Sequence, residues 1–286
     1  MKANLKEFWY YFSQNRGAVV GLLVIALFVL SAILAPVVAP MSPTEVSDAA
    51  VNLPPAWTVN GQTTHLLGTD DLGRDLLSRL MYGAQVSLGI GFFTVILSMF
   101  VGVFLGLIAG SVGGWVDSVI MRANDILMAL PSILLAIVVV SILGPNLANT
   151  IVAVAVVSIP SFVRLTRAQV QAEMSKNYVA ASRIFGASWF RVVVINVLPN
   201  CMAPLIVQAT MGFSEAILNA AALGFLGLGA QPPMPEWGTM LSDARSFIET
   251  APWLVTLPGI CILVVVLGFN LLGDGLRDAF DPKLRR

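Results

Sequence analysis

The sequence contains 286 residues, of which 57% are hydrophobic and 11% are charged, and its formal net charge is zero. Soluble domains carry about 25% charged residues, so a chain this apolar belongs to the class of membrane proteins. The absence of a long basic run argues against nucleic-acid binding.

Six apolar segments are long enough to cross a membrane as helices, since a spanning helix needs about 20 mainly apolar residues. They cover approximately residues 17–38, 84–108, 118–143, 148–163, 197–225 and 252–272. The fourth is short, but Asn146 and Asn149 before it and Arg164 and Arg167 after it suit the two headgroup layers. The sequence therefore predicts an all-α membrane protein with six transmembrane helices.

The first segment follows Lys2, Lys6 and Arg16, so it is either a cleaved signal peptide or a retained anchor helix. Its apolar run exceeds the roughly 7 to 15 residues that are usual for a signal peptide. Pro40 directly after Val-Val-Ala is also a poor residue to follow a cleavage site. Both features favour a retained anchor.

Basic residues set the orientation of membrane proteins, because Lys and Arg accumulate on the cytoplasmic side. With the N-terminus inside, only Arg74, Arg79 and Arg245 of the 16 basic residues fall on the outer side. The sequence therefore predicts that both termini are cytoplasmic.

The segment between Arg164 and Arg191 carries five basic residues, each costing about 2.5–3.5 kcal/mol at the bilayer centre. It must therefore be cytoplasmic, yet it is too apolar for an ordinary solvated loop. Its large apolar residues are Val179, Ile184, Phe185, Trp189, Phe190, Val192, Val193 and Val194. One interpretation is an amphipathic helix lying in the headgroups. The other is a two-part helix, bent at Gly186, that projects from the membrane to bind a cytoplasmic partner.

This segment resembles a motif of the permease subunits of binding-protein-dependent ABC importers. The motif reads Glu-Ala-Ala, three residues, Gly, nine residues, Ile, one residue, Leu-Pro, and lies on their cytoplasmic loop. Ala181, Gly186, Leu198 and Pro199 match it at the correct spacing. Three positions depart from it: Ala180 replaces the glutamate, Ser182 the second alanine and Asn196 the isoleucine. The missing glutamate removes one polar contact that the family makes with its ATPase.

Three further stretches, residues 65–88, 221–245 and 269–286, are similar to the C-type permease subunits of the dipeptide, oligopeptide and nickel importer family. The resemblance is strongest to the dipeptide importers and covers nearly the whole chain. It implies a type I ABC importer permease fold and a multi-pass protein of the bacterial inner membrane. It also implies four kinds of partner: a second permease subunit, two P-loop ATPase subunits, a periplasmic substrate-binding protein and a peptide substrate.

The resemblance divides the chain into an anchor helix with a periplasmic extension (residues 1–81), a permease core (82–276) and a cytoplasmic tail (277–286). The core contains the cytoplasmic coupling loop, residues 164–199. By this resemblance the helix that engages the ATPase includes Tyr178, Val179, Ala180, Ala181, Ser182, Arg183 and Gly186. Dipeptides, longer peptides, haem, glutathione and nickel all remain open as substrates.

The chain itself has no sequence for holding ATP. A phosphate-binding loop needs Gly-x4-Gly-Lys-Ser/Thr, and none of Lys2, Lys6, Lys176 and Lys283 follows such a glycine. We therefore expect no catalytic residue and no cofactor or metal in this chain, with ATP and Mg²⁺ held by the partner ATPases. His65 is the only histidine, which excludes an HExxH zinc site and leaves an intramembrane serine hydrolase without a base.

Glu215 lies in the fifth apolar segment, where a carboxylate is costly. It is a candidate for a water-filled pathway or a partner contact, although a pair with a neighbouring helix or a place near the outer headgroups would also explain it. The rival function is an ion-coupled secondary carrier with Glu215 as the coupling site. Such carriers often contain inverted repeats, and no convincing internal repeat is present.

The expected outer face is net acidic and could bind a complementary soluble protein, although an ordinary solvated surface is the alternative. The candidate docking residues are Asp70, Asp71, Arg74, Asp75, Glu236 and Trp237.

Four other features predict how the helices pack. Small residues at Ser98, Gly102, Gly106 and Gly110 predict close helix packing, within the subunit or against the sister permease. The sequence also predicts kinks at Pro131 and Pro160 and an ion pair between Arg122 and Asp125. Cys201 and Cys261 lie in apolar runs and do not indicate a disulfide.

Overall fold

A computed structural model describes residues 2–47 and 50–280, with side chains from residue 8 onward. Regular structure in these ranges is helical, apart from one isolated antiparallel bridge between Thr69 and Asp75. The helices are α1 (Lys2–Gln14), α2 (Arg16–Val38), α3 (Leu76–Val112), α4 (Gly114–Met128), α5 (Ser132–Leu143), α6 (Leu147–Met174), α7 (Asn177–Ile184), α8 (Leu198–Phe225), α9 (Trp237–Asp243) and α10 (Trp253–Phe280). A π-helical segment, Arg191–Val197, leads into α8, and a 3₁₀ turn, Ala244–Phe247, follows α9.

Five helices of the described chain, α2, α3, α6, α8 and α10, are long and apolar enough to cross a membrane. For α8 the span includes the π-helical segment that precedes it. The helices α4 and α5 together could form a sixth span, but they meet at a bend of 94°. If this bent pair is counted as one span, the structure has the six spans that the sequence predicts.

The bend at Pro131 has a local cause. Proline disfavours helical geometry at the residue before it, and α4 ends at Met128 while α5 begins directly after Pro131. Pro160 behaves differently, because α6 continues from Leu147 to Met174 without interruption. The sequence thus predicted the break at Pro131 correctly, whereas α6 remains one continuous helix through Pro160.

The fourth predicted segment, residues 148–163, is the first part of the longer helix α6. This helix runs past Arg164 and Arg167, and both arginines bind acids of α4. Arg164 Nη2 lies 3.0 Å from Asp125 Oδ1, and Arg167 Nη2 donates to Asp117 Oδ2 at 2.6 Å. The predicted pair between Arg122 and Asp125 is therefore wrong, because the carboxylate of Asp125 faces α6.

The small-residue stripe of α3 packs against α6 of the same subunit. A Cβ atom on Gly102 would collide with Phe162, and one on Gly106 would collide with Thr166. Gly110 approaches the backbone of Arg167 in the same way. Close backbone contact explains why this stripe lacks bulk, and it confirms packing within the subunit.

Two groups of buried side chains lie toward opposite ends of the bundle. One surrounds Trp237 and joins α2, α3, α8, α9 and α10. The other joins α3, α6, α7, the π-helical segment and the start of α8. We call these ends the α9 end and the α7 end.

Candidate functional site

Helix α7 is a short helix that lies between two spanning helices and is attached to both. Val179 is fully buried in the core of the α7 end, together with Val170 of α6 and Val192 of the π-helical segment. Ala180, Ala181 and Arg183 are exposed. The helix is thus amphipathic, with one side packed on the subunit and the other side free of contacts from this chain.

Gly186 ends α7 in a left-handed conformation, with φ of +80°. The amide of Gly186 donates to the carbonyl of Arg183 at 3.0 Å, and that of Ala187 donates to Ser182, also at 3.0 Å. These two bonds form a Schellman motif, which favours glycine at this position because a Cβ atom is strained there. The chain therefore turns at Gly186, as the sequence predicts, between α7 and the helical segment that leads into α8.

Two side-chain hydrogen bonds join α7 to the segment that becomes α8. Asn196 Nδ2 donates to Ser182 Oγ at 3.1 Å, and Asn200 Nδ2 donates to Tyr178 Oη at 3.3 Å. The Tyr178 hydroxyl donates in turn to Glu173 Oε2, at 2.7 Å, at the end of α6. Tyr178 thereby joins α6, α7 and α8 at a single hydroxyl group.

The sequence did not identify Glu173, Asn196 and Asn200 as anchors of α7. Two of the departures from the motif, Ser182 and Asn196, form a hydrogen bond with each other. Both are polar residues at positions where the motif has apolar ones, and this shared change is the one sequence signal for their contact. Glu173 is buried and also accepts from Lys176 Nζ at 2.5 Å. Nothing in the sequence alone relates Asn200 to Tyr178.

The outer side of α7 and the turn after it expose large apolar side chains. Ile184 is 83% exposed and Phe185 is 88% exposed, while Trp189 and Phe190 are also exposed. Three of the apolar residues that the sequence analysis found in this segment, Val179, Val192 and Val193, are buried by other parts of this chain. We call the remaining exposed set, Ile184, Phe185, Trp189 and Phe190, the α7 patch.

The acidic loop at the α9 end folds inward. Asp70 accepts from Arg74 Nε at 2.7 Å and forms an ion pair with Arg79, whose Nε lies 3.2 Å from Asp70 Oδ2, and all three residues are buried. Asp75 is buried as the N-cap of α3 and binds His65 Nδ1 at 3.0 Å. Asp71 is only partly buried, and it lies 3.9 Å from Arg74.

Glu236 and Trp237 are also buried at this end. Glu236 accepts from the amides of Gly238 and Thr239 at 2.8 and 2.9 Å and from the Ser87 hydroxyl at 3.2 Å. Burial raises the pKa of Glu236 above its usual range, against the effect of these three donors. Trp237 Nε1 donates to the carbonyl of Leu80 at 3.2 Å, which attaches α9 to α3.

These positions correct the predicted docking surface. Five of its six residues, Asp70, Arg74, Asp75, Glu236 and Trp237, are buried within the subunit and have almost no surface for a soluble protein to contact. The sequence gives the charges and the turn residues, but it does not show that Arg74 and Arg79 neutralise Asp70 internally. This cluster stabilises the loop between α2 and α3.

Glu215 lies on the exposed side of α8, in the middle of a spanning helix. No hydrogen bond or ion pair joins its carboxylate to another residue in the described part of the chain. The alternative of a pair with a neighbouring helix of this subunit is therefore wrong. Within residues 2–47 and 50–280 no group of acidic, histidine and cysteine residues could hold a metal ion.

Two family models match the chain. The binding-protein-dependent transport system inner membrane component matches residues 102–286, and the N-terminal transmembrane domain of oligopeptide transport permease C matches residues 4–55. The dipeptide transport system permease protein DppC of Haemophilus influenzae is 58% identical over 100% of this chain and 97% of its own length. The di/tripeptide transport system permease protein DppC of Pseudomonas aeruginosa is 58% identical over 98% of this chain and 93% of its own length.

The fold also matches a solved structure. A chain of the MetNI methionine ABC transporter in an inward-facing conformation superposes with a TM-score of 0.57, covering 71% of this chain and 97% of that chain. The two are 16% identical in sequence, so the match concerns the fold, which is that of the type I ABC importer permeases. The predicted fold class is thus confirmed. With one family model covering residues 102–286 and full-length relatives at 58% identity, the chain belongs to the family of binding-protein-dependent transport system inner membrane components.

Proposed function

We propose that this chain is a permease subunit of an ATP-driven importer of small peptides, with dipeptides as the main substrates. It forms the translocation pathway with a second, different permease subunit in the bacterial inner membrane. Two cytoplasmic ATPase subunits hold ATP and Mg²⁺, and a periplasmic binding protein delivers the peptide. The full-length identity of 58% to dipeptide and di/tripeptide permeases supports this substrate class.

The observation that carries the proposal is the α7 patch. Ile184 and Phe185 are almost fully exposed on a helix whose opposite side is fixed by Val179 and by two hydrogen bonds. An exposed apolar patch with polar surroundings is typical of a protein interface. We propose that the patch sits in a groove of one ATPase subunit, with both termini of the permease on the same, cytoplasmic side.

The attachment of α7 supports a route for coupling. When the ATPase subunits close on ATP, α7 moves with the subunit that holds it. Asn196 and Asn200 transmit this movement to the base of α8, and Glu173 transmits it to α6. The permease performs no covalent chemistry in this scheme, and it transports because the two states of the pathway bind peptide differently.

The ion-coupled carrier is the less favoured function. A family whose members depend on a binding protein has no need of a self-sufficient ion site, and Glu215 has another use, which is proposed below. Uptake that follows an ion gradient in the absence of nucleotide would favour the carrier instead.

Cysteine cross-linking tests the proposed function. In a variant with Cys201→Ala and Cys261→Ala, Phe185→Cys should form a cross-link with an ATPase subunit of the purified assembly. Phe100→Cys on α3, which is also well exposed, is the matched control and should form none. A cross-link from position 100 but not from position 185 would overturn the assignment of α7.

A further inference from the structure

One face of α8 is at least partly exposed from residue 204 to residue 225. Its members recur at steps of four and three residues, which is the spacing of a single helical stripe. They are Pro204, Gln208, Met211, Glu215, Leu218, Ala222 and Phe225, and none of them is buried. On the opposite face Ile217, Ala220 and Gly224 are buried, whereas Ile206, nearer the start of the helix, is 37% exposed. The exposed stripe therefore faces something outside this subunit.

The composition of this stripe differs from that of a lipid-facing surface. The exposed residues of α3 between positions 92 and 104 are all apolar, namely Phe92, Phe93, Ile96, Leu97, Phe100 and Phe104. The stripe of α8 instead carries Gln208 and Glu215. A carboxylate that faces the hydrocarbon core of a bilayer costs about 2.5–3.5 kcal/mol. Water or a cationic group must therefore reach Glu215.

A groove opens along the same stripe toward the end of α10. It has a volume of about 480 Å³, and its lining includes Gln208, Met211, Arg277 and Phe280. Gln208 and Met211 belong to the stripe of Glu215, and Glu215 lies about 10 Å from Gln208 along the axis, at 1.5 Å per residue. The groove and Glu215 thus lie on the same side of α8.

The neighbouring helix α10 adds polar groups beside this surface. Asn270, Asp274 and Arg277 follow one another at steps of four and three residues and are all exposed. Ser214, next to Glu215 in the chain, donates to Asn270 Oδ1 at 2.6 Å, which attaches α10 to α8 at this level. Arg277 has no acidic partner in the described part of the chain. The surface therefore has the unpaired carboxylate of Glu215 at one end and the guanidinium of Arg277 in the groove, with the exposed carboxylate of Asp274 three residues before Arg277.

We propose that this surface of α8 and α10 is the subunit's wall of the peptide pathway, and that Glu215 accepts the α-ammonium group of the passing peptide. A zwitterionic peptide has an ammonium group at one end and a carboxylate at the other, so it complements Glu215 and Arg277 in charge. The proposal rests on the proposed function, because it requires that the pathway carries peptides. A basic residue of the sister permease is the competing partner for Glu215.

Protection of a cysteine in the groove tests the proposal directly. Gln208→Cys is placed in the assembly with Cys201→Ala and Cys261→Ala, which leaves Glu215 unchanged. A membrane-impermeant thiol reagent should label position 208 when the pathway is open to the cytoplasm. Millimolar Ala-Ala should slow the labelling, whereas N-acetyl-Ala-Ala or sodium chloride at the same concentration should not, because neither offers an ammonium group.

A second experiment repeats the labelling after the carboxylate of Glu215 has been removed. In the Glu215→Gln background the protection by Ala-Ala should weaken roughly tenfold, as expected for the loss of one charge-assisted hydrogen bond. Ile96→Gln, on the exposed apolar face of α3, is the control and should keep the protection. The three variants should also assemble with the sister permease.

Three results would overturn the proposal: no labelling of position 208 in any state, equal protection by the acetylated peptide, or full protection after Glu215→Gln. Loss of assembly in Glu215→Gln alone would assign the residue to the sister permease instead. Uptake of Ala-Ala by the unmodified assembly is measured in parallel. Its absence would refute the proposed function, which separates that failure from failure at Glu215.

Discussion

Asn196 and Ser182 lie 14 positions apart and join α7 to the start of α8 through a hydrogen bond of 3.1 Å. Both residues stand where the importer motif described above has alanine and isoleucine, so the two departures from that motif meet at one contact. Ser182 Oγ also donates to the carbonyl of Tyr178 at 2.9 Å, which orients the hydroxyl to accept from Asn196. This pair fixes the distance between the α7 patch and the base of a spanning helix.

Ser182→Ala alone and Asn196→Ile alone should each weaken coupling, because each leaves one partner of a partly buried hydrogen bond. The double variant, which restores an apolar pair, should recover most of the loss. A double-mutant cycle on thermal unfolding should give an interaction energy of about 0.5–1.5 kcal/mol. Additive effects of the two substitutions would show that the pair does not act as a unit.

Substitutions at the exposed Phe185 and the buried Val179 distinguish a role in binding the ATPase from a role in the stability of the subunit. Phe185→Ala removes an exposed side chain, so thermal stability in detergent should change by less than about 0.5 kcal/mol, while ATPase activity stimulated by the binding protein should fall strongly. Val179→Ala removes buried methyl groups and should lower the free energy of unfolding by roughly 1 kcal/mol or more. Normal stimulated ATPase activity in Phe185→Ala would contradict the role of the α7 patch.

Gly186 should tolerate only residues that accept a left-handed backbone. A Cβ atom at Gly186 meets no atom within 4 Å, so the effect of Gly186→Ala comes from its φ of +80° and should be about 1–2 kcal/mol. Gly259→Ala in α10 is the matched control, since that glycine also has free space but no positive φ.

We expect Gly186→Ala to uncouple ATP hydrolysis from peptide uptake while membrane insertion is unchanged. Gly186→Asn should be milder, because asparagine tolerates this conformation better. The measurement is the ratio of ATP hydrolysed to peptide delivered in proteoliposomes. Equal ratios for Gly186→Ala and Gly259→Ala would show that the turn has no part in coupling.

Asp70 should be a stability residue and not a docking residue. Asp70→Ala would leave the buried guanidinium groups of Arg74 and Arg79 without their shared acceptor, a change that typically costs about 3–5 kcal/mol. Asp71→Ala, at a side chain that is 34% exposed, should cost less than about 1 kcal/mol. Thermal unfolding of the two variants in detergent distinguishes them, and a normal melting temperature for Asp70→Ala would contradict the buried cluster.

The positions of the spanning helices were predictable, because long apolar runs and their flanking charges determine them. The end of α7 at Gly186 was predictable for a related reason, since glycine is favoured where the backbone turns left-handed. The bend of 94° between α4 and α5 followed only in part, because Pro131 indicates a break but not its angle.

The inward fold of the acidic loop was not predictable from charge alone. Arg79 belongs to α3, and its approach to Asp70 depends on how the loop packs on that helix. The hydrogen bonds of Tyr178 with Glu173 and Asn200 were not predictable either, because these two residues come from different helices. Contacts between distant segments require the packed structure, whereas helix ends are determined locally.

The most direct measurement is the uptake of labelled dipeptide into proteoliposomes. One set of vesicles holds this chain alone, and the other holds it with the second permease, both ATPase subunits and the loaded binding protein. We predict accumulation only in the complete assembly and only with ATP. Nucleotide-independent accumulation by the chain alone, driven by a proton or sodium gradient, would contradict the role of a permease subunit driven through α7.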